Sequence, residues 1–300
     1  MRREKCSNNC RMKRFAFMFV VVGMVTMSMR LTAGTLVQFR TAEGDMQVEL
    51  FDQEKPKTVE NFVKLVKSNA YTNTFFHRCL PGFVIQGGGV AVASKNTSGF
   101  FDRYSNVTNF GAITNEFNIG QKYSNTYGTI AMAKLSGDPN SATSQWFFNL
   151  ANNSTNLDNQ NGGFTVFGRV VDGTNVLEYF NHLAKWSGTV DLTWFYGSGA
   201  GLFTDLPVTY SGTNAPNFTN LIYVDITLLE VSAVKTSGGS TDISWNSVSN
   251  RTNTVYYTDQ FPPSWQLLQS VLGNGQRQKV TDKGASSTKG RFYKVLVNYP

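Results

Sequence analysis

Arg78, Phe83 and Gln86 lie close together around Pro81-Gly82, in an otherwise apolar run, Phe75-Phe76-His77-Arg78-Cys79-Leu80-Pro81-Gly82-Phe83-Val84-Ile85-Gln86-Gly87-Gly88. An arginine keeps its charge and presents a rigid fork of donors. It can therefore stabilise an electron-rich atom from a fixed position, with a phenylalanine and a glutamine beside it. The plainer reading of the same residue is a surface salt-bridge arginine. Other chemistries find little support. The chain has two histidines, His77 and His182, and its three cysteines are Cys6, Cys10 and Cys79, a poor set for a zinc site. Gly87-Gly88-Gly89 lacks the Gly-Lys-Ser/Thr continuation of a phosphate-binding loop. No serine-protease triad stands out, and no cofactor is expected.

The elements that must position these residues are short. Thr35 to Arg40 and Asp45 to Phe51 read as a hairpin about Glu43-Gly44. Pro56 opens an amphipathic helix with Val59, Phe62, Val63 and Val66 on one face. Residues 89–127 are polar and read as a long surface excursion. Gly128 to Ala133, Gln145 to Leu150 and Phe164 to Val171 read as strands. A second helix buries Val176, Leu177, Phe180, Leu183 and Ala184, and Asn175 with Glu178 offers a capping box at its start. Residues 186–220 read as irregular, and Leu221 to Val231 as a last strand. Many short strands with two helices predict a mainly β barrel or sandwich.

Lys235 to Thr241 carries a flexible-linker composition. Beyond it, Ile243 to Trp245, Thr254 to Thr258, Trp265 to Val271 and Arg291 to Val297 alternate like strands. The expected organisation is a leader at 1–33, a main domain at 35–232, a linker at 233–241 and a small β-sandwich-like module at 242–300. That module resembles fibronectin-type-III-like modules.

The net charge of +7 comes almost wholly from the N-terminus. Seven of the 27 basic residues lie in the first 30 positions, where Glu4 is the only acid. The rest is nearly balanced, which excludes a basic nucleic-acid-binding face. Arg2, Arg3, Lys5, Arg11, Lys13 and Arg14 precede an apolar stretch from Phe15 to Met29, the pattern of an export signal. An uncleaved anchor is the rival reading, but the stretch is short for a span of about 20 residues. Export to the periplasm or beyond, with no stable membrane span in the mature chain, is the expectation. Cleavage would leave Cys79 without an intramolecular partner. No oligomerisation signal appears, so a monomer is expected.

The opening run resembles the F-H-R-x-x-P-G-F-x-x-Q-G-G segment of the cyclophilins, peptidyl-prolyl cis-trans isomerases. Further motifs follow in that family's order: Gly128-Thr129-Ile130-Ala131-Met132-Ala133, Asn140-Ser141-Ala142-Thr143-Ser144-Gln145-Trp146-Phe147 and Val166-Phe167-Gly168-Arg169-Val170. The resemblance spans about 35–232 and looks closest to the exported bacterial branch. It implies a closed antiparallel eight-stranded β-barrel capped by two α-helices, acting on proline-containing polypeptides. By the same resemblance Arg78, Phe83 and Gln86 are catalytic. Val84, Ala133, Lys134, Gln145, Phe147, Leu157 and Phe164 bind substrate. Lys134 stands where the family often has Asn, and Phe164 where many members have His. His77 is read as a hydrogen-bonded supporting residue, because amide rotation needs no general base. Asn156 aligns where cyclosporin-sensitive members have Trp. The implied role is isomerisation during folding of exported proteins. A proline-peptide binding module, or a surface-association protein with incidental isomerase activity, remains the alternative.

Overall fold

Val37 and Phe39 on one strand meet Val48 and Met46 on the next, and all four side chains are fully buried. That inward alternation, with its period of two, starts a computed structural model that describes residues 35–300 except 94, 96–102, 248–251, 261, 275, 288–289 and 299–300. The expected leader at 1–33 lies outside the described residues.

The chain runs β1 (Leu36–Thr41), β2 (Gly44–Leu50), α1 (Pro56–Lys67), β3 (Arg78–Leu80), β4 (Val84–Gly87), β5 (Val90–Ala91), β6 (Ser105–Asn106), β7 (Thr129–Met132), β8 (Trp146–Asn149), α2 (Ser154–Leu157), β9 (Val166–Asp172) and α3 (Thr174–Asn181). It continues through β10 (Ala184–Lys185), β11 (Ser187–Val190), α4 (Thr193–Tyr196), β12 (Leu206–Ser211) and β13 (Asp225–Leu228). The last strands are β14 (Val231–Lys235), β15 (Thr241–Asn246), β16 (Thr252–Thr258), β17 (Gln266–Leu272), β18 (Arg277–Asp282) and β19 (Phe292–Asn298).

Eight strands form one antiparallel sheet in the order β13-β1-β2-β9-β7-β8-β4-β3. It is curled but open, which corrects the expected closed barrel. The segments leading into its two edge strands meet only at an isolated bridge, Phe75 with Tyr223, flanked by Phe76 N to Ile222 O and Val224 N to Thr74 O, each 3.0 Å. Beyond that bridge the Cys79 amide of β3 donates to Asp205 O at 2.7 Å. The segment before β12 thus occupies the edge that β13 would have needed and takes the Cys79 amide there.

One core fills the curl. Phe62 and Leu65 of α1 and Val176, Leu177 and Phe180 of α3 pack against the inward side chains of the sheet. Trp146 is fully buried, with Phe39 edge-on at a 5.0 Å centroid separation and Phe76 at 5.7 Å. Each such side chain contributes roughly 1.5–3 kcal/mol through burial.

The segment 89–127 is less superficial than its polarity suggested. Val90, Val92, Val107 and Phe117 are buried. The Glu116 carboxylate accepts from Thr58 N at 2.8 Å and Thr58 Oγ1 at 2.7 Å, capping α1 from outside the helix. The Lys55 ammonium donates to Glu116 O at 2.8 Å and Ile119 O at 2.6 Å. The expected capping box on α3 does not form: its N-cap is Gly173, with no side-chain cap bond. Residues 186–220, read as irregular, include β11 and β12, which pair antiparallel.

The expected linker at 233–241 carries regular structure at its two ends. Val231–Lys235 is a strand in full register with β15, and Thr236 N bonds Ser240 O across the turn. The Gly-Ser composition marks a hairpin turn, and the first strand of the C-terminal part starts before position 233. Two three-stranded sheets, β14-β15-β18 and β17-β16-β19, share one small core of Ile243, Trp245, Val255 and Val280 with Leu268, Val271, Tyr293 and Val295 packed on it. Among the described residues no helix is long and apolar enough to cross a membrane.

Candidate active site

Alternation along four strands separates an inner from an outer face. Ile85, Ile130, Trp146, Phe148 and Phe167 enter the main core. Their neighbours Val84, Ala131, Phe147 and Val166 form a second apolar cluster on the opposite face, with Phe51 and Leu157 buried and Phe83, Tyr123, Ala133 and Phe164 at its margin. Across that outer face one register row runs Val166, Ala131, Phe147, Gln86, Arg78, each directly opposite the next. A permanent cation therefore ends a row that begins in an apolar pocket, with one amide between them.

Six of the expected substrate-contacting positions converge in that pocket: Phe83, Val84, Ala133, Phe147, Leu157 and Phe164. Phe147 and Phe164 meet edge to face, centroids 5.8 Å apart, a favourable aromatic geometry. Phe147, Leu157 and Val84 are buried floor, while Phe83 and Phe164 keep part of their surface open. The loop joining β3 to β4 is held from below: Leu150 N donates to Phe83 O at 2.9 Å, and Gly82 N donates to Asn181 Oδ1 at 2.8 Å.

Gln86 donates from Nε2 to Gln145 Oε1 at 2.7 Å. The two amides thus orient one another, and neither hydrogen-bonds Arg78, whose guanidinium has no ion-pair partner among the described residues. Gln145 also anchors the neighbouring strand end, its carbonyl accepting from Ala133 N at 2.9 Å. Gln86, Ala133, Lys134 and Gln145 line one cavity of about 190 Å³ together with Leu135, Ser141 and Thr143. The glycines after Gln86 allow this approach: a Cβ on Gly87 would stand 2.6 Å from Trp146, and one on Gly89 2.9 Å from Gln145.

The Lys134 ammonium turns to Asn161 O and Gly163 O, at 2.7 Å each, and lies 4.7 Å from the Phe164 ring centroid. Burial lowers its pKa to about 8, the Asp138 charge partly opposing. Its side chain clamps the loop that carries Phe164. His77 is fully buried; neither ring nitrogen makes a hydrogen bond of standard geometry among the described residues, and the Gln145 side chain is the polar group beside it. Burial, then the adjacent Arg78 charge, lowers its pKa to about 4, with the Gln145 side chain acting the other way. It is neutral at pH 7 and has no role in moving a proton.

Cys79 is buried, and burial followed by the Asp205 charge pushes its thiol up to about 12, so it is not a nucleophile. No cluster of metal-ligating side chains occurs among the described residues. The sequence reading passed over Asn125, Asn149 and Asn153, which are buried beside the pocket. Asparagines within a strand and two loops carry no local signal of burial.

The outer face of the curled antiparallel sheet thus carries an arginine, a glutamine pair and an aromatic pocket. The family described as cyclophilin type peptidyl-prolyl cis-trans isomerase/CLD matches residues 36–192. The chain belongs to that family. It is 38% identical over 160 residues to a peptidyl-prolyl cis-trans isomerase of Acinetobacter baylyi, covering 53% of this chain and 78% of the relative. It is 37% identical over 153 residues to peptidyl-prolyl cis-trans isomerase B of Escherichia coli, covering 50% and 85%. A crystal structure of a Cryptosporidium parvum cyclophilin type isomerase in the presence of the dipeptide Ala-Pro aligns over 65% of this chain and 99% of that one, at 23% identity and a TM-score of 0.43.

Proposed function

We propose that this chain catalyses cis–trans isomerisation of X–Pro bonds in exported polypeptides, with Arg78 as the donor that stabilises the twisted amide. The barrier to rotation, about 18–20 kcal/mol, is the resonance of the peptide bond. No covalent bond forms or breaks, so a catalyst needs only to bind the twisted state better than the planar one. In that state the prolyl nitrogen is pyramidal and regains its lone pair. A guanidinium aimed at the nitrogen stabilises this form and not the conjugated one.

The observation that carries the reading is the row Phe147–Gln86–Arg78, one apolar floor residue, one amide and one cation in consecutive register positions. Phe83, Phe147, Leu157 and Phe164 would hold the proline ring at a gain of about 0.8 kcal/mol per buried methylene. Gln86, Gln145 and the Ala133 main chain would hold the flanking peptide backbone. That leaves one side of the amide free to turn.

Export of the substrates is supported by the basic, then apolar, N-terminal pattern. The two C-terminal sheets contribute no residue to the row, the apolar cluster or the cavity, so the catalytic domain is read as the preceding part of the chain.

The test is the cis-to-trans rate of a short X–Pro peptide with the protein and with Arg78→Ala. Removing one donor from a charge-stabilising site costs about 10²–10³ in rate. A loss of that size at unchanged fold supports the assignment. An Arg78→Ala protein as fast as the unaltered chain overturns it.

A further inference from the structure

Three asparagines beneath the pocket are joined in a directional chain. Asn153 donates both amide hydrogens, to Phe83 O at 2.7 Å and to Asn149 Oδ1 at 2.8 Å. Asn149 donates both of its own, to Asn125 Oδ1 at 3.2 Å and to Thr129 Oγ1 at 2.9 Å. Asn125 donates to Asp158 Oδ1 at 2.9 Å and to Phe164 O at 3.0 Å. Every amide hydrogen of the three side chains has an acceptor, and Asn125 and Asn149 are fully buried, with Asn153 7% exposed. Buried amides without partners would be strongly destabilising, whereas a completed network is rigid.

The ends of this chain are the main-chain carbonyls of Phe83 and Phe164, the two pocket walls that stay partly open. They lie on loops far apart in sequence, and no ladder joins them. Backbone bonds of the same asparagines carry a third wall residue: Leu157 N donates to Asn153 O, and Asn153 N to Asn125 O, each at 2.8 Å. None of the three asparagines belongs to the apolar cluster itself. We infer that Asn125, Asn149 and Asn153 are positioning residues that set the separation of the Phe83 and Phe164 walls, and so the fit of the proline ring. The inference rests on the isomerase reading for its consequence in turnover, but its geometric content stands apart from it.

Asparagine suits each position: both terminal acceptors are carbonyls, which cannot donate, so each end must supply a donor, and the middle residue must accept on one side and donate on the other. Aspartate at position 149 would accept from Asn153 but donate to nothing. Serine could do both with one fewer donor.

The experiment uses the full chain and the variants Asn149→Ala and Asn149→Ser. The Asn149 side chain bonds neither wall, but Asn149 pairs with Val84 and precedes Leu150, whose amide donates to Phe83 O, so a local effect can reach Phe83 and the Phe164 carbonyl is the discriminating readout. The carbonyl carbon resonances of Phe83 and Phe164 are followed by NMR, and KM and kcat are measured on an X–Pro peptide. For Asn149→Ala, both carbonyl resonances are expected to move, and KM to rise about fivefold or more with kcat within about twofold. That pattern follows when ground-state and transition-state binding are lost equally. Asn149→Ser, keeping one acceptor and one donor, should recover much of both effects. Folded variants with an unmoved Phe164 carbonyl, or with unchanged KM, would overturn the inference. So would a fall in melting temperature alone. An unaltered protein without isomerase activity would defeat the isomerase reading and leave the carbonyl shifts to decide the relay.

Discussion

Lys134 holds its ammonium group over the Phe164 ring, 4.7 Å from the centroid, while donating to two carbonyls of the loop that precedes the ring. One side chain at the end of β7 thereby fixes a wall of the pocket. Such a cation–π contact is worth about 0.5–1 kcal/mol when partly exposed.

Its pKa, lowered by burial to about 8 from 10.5, makes this contact sensitive to pH. As pH rises through about 8 the cation is lost and the pull on Phe164 weakens. Phe164 ring resonances should titrate with that midpoint, and Lys134→Met should abolish the transition. The folded chain binds this proton less tightly than the unfolded chain. Between about pH 8 and 10.5 the unfolded state carries more protons, so this residue makes stability rise with pH across that window. The slope should vanish in Lys134→Met.

His77 acts at the acid end. Its folded pKa of about 4 lies below the ordinary 6.5, so neutral His77 contributes stability above 6.5 that is lost as pH falls towards 4. With about 1.4 kcal/mol per unit, the loss is on the order of 3 kcal/mol for a fully buried ring. His77→Phe removes the titrating group. Denaturant midpoints at pH 4.5 and 7 should differ less in the variant than in the unaltered protein, and an equal difference in both would refute the assignment.

Asn156 is exposed next to the buried pocket residue Leu157. By the family resemblance it stands where cyclosporin-sensitive members carry Trp. Asn156→Trp should tighten cyclosporin by about tenfold, the effect of about 1.4 kcal/mol from one added aromatic contact, with isomerisation little changed. A fluorescence titration giving equal affinities would count against that alignment.

Gly173 begins α3 at φ +82°, and a Cβ there would lie 2.0 Å from Asp45 O. Gly173→Ala must shift the β2 turn or leave the left-handed region, at a cost of about 1–3 kcal/mol. Chemical denaturation should register that loss. Folded Gly173→Ala should keep its isomerase rate, because no pocket residue rests on this turn.

The closeness of Arg78 and Gln86 about the Pro81-Gly82 turn was legible because a turn is local, while the two strands that flank it were not read from the sequence. A Pro-Gly turn between two short strands places them opposite one another whatever the rest of the chain does. For α1 the expected face is met in part: Val59 and Phe62 are buried, Val63 and Val66 are half-buried against the core, and Leu65, not expected on that face, is fully buried. The remaining pocket residues could be named only by resemblance, since Phe147, Leu157 and Phe164 look like ordinary core residues until the register row and the outer cluster are seen.

Tertiary structure alone decided the open sheet, the hairpin at 231–246, the Glu116 cap on α1 and the asparagine relay. Each is a competition between partners distant in sequence: Asp205 against β13 for the edge of β3, or Asn153 reaching Phe83 across the fold. Local pattern records which residues prefer a strand, a helix or a turn. It cannot record which of several distant donors and edges wins, because that depends on the free energy of the assembled whole.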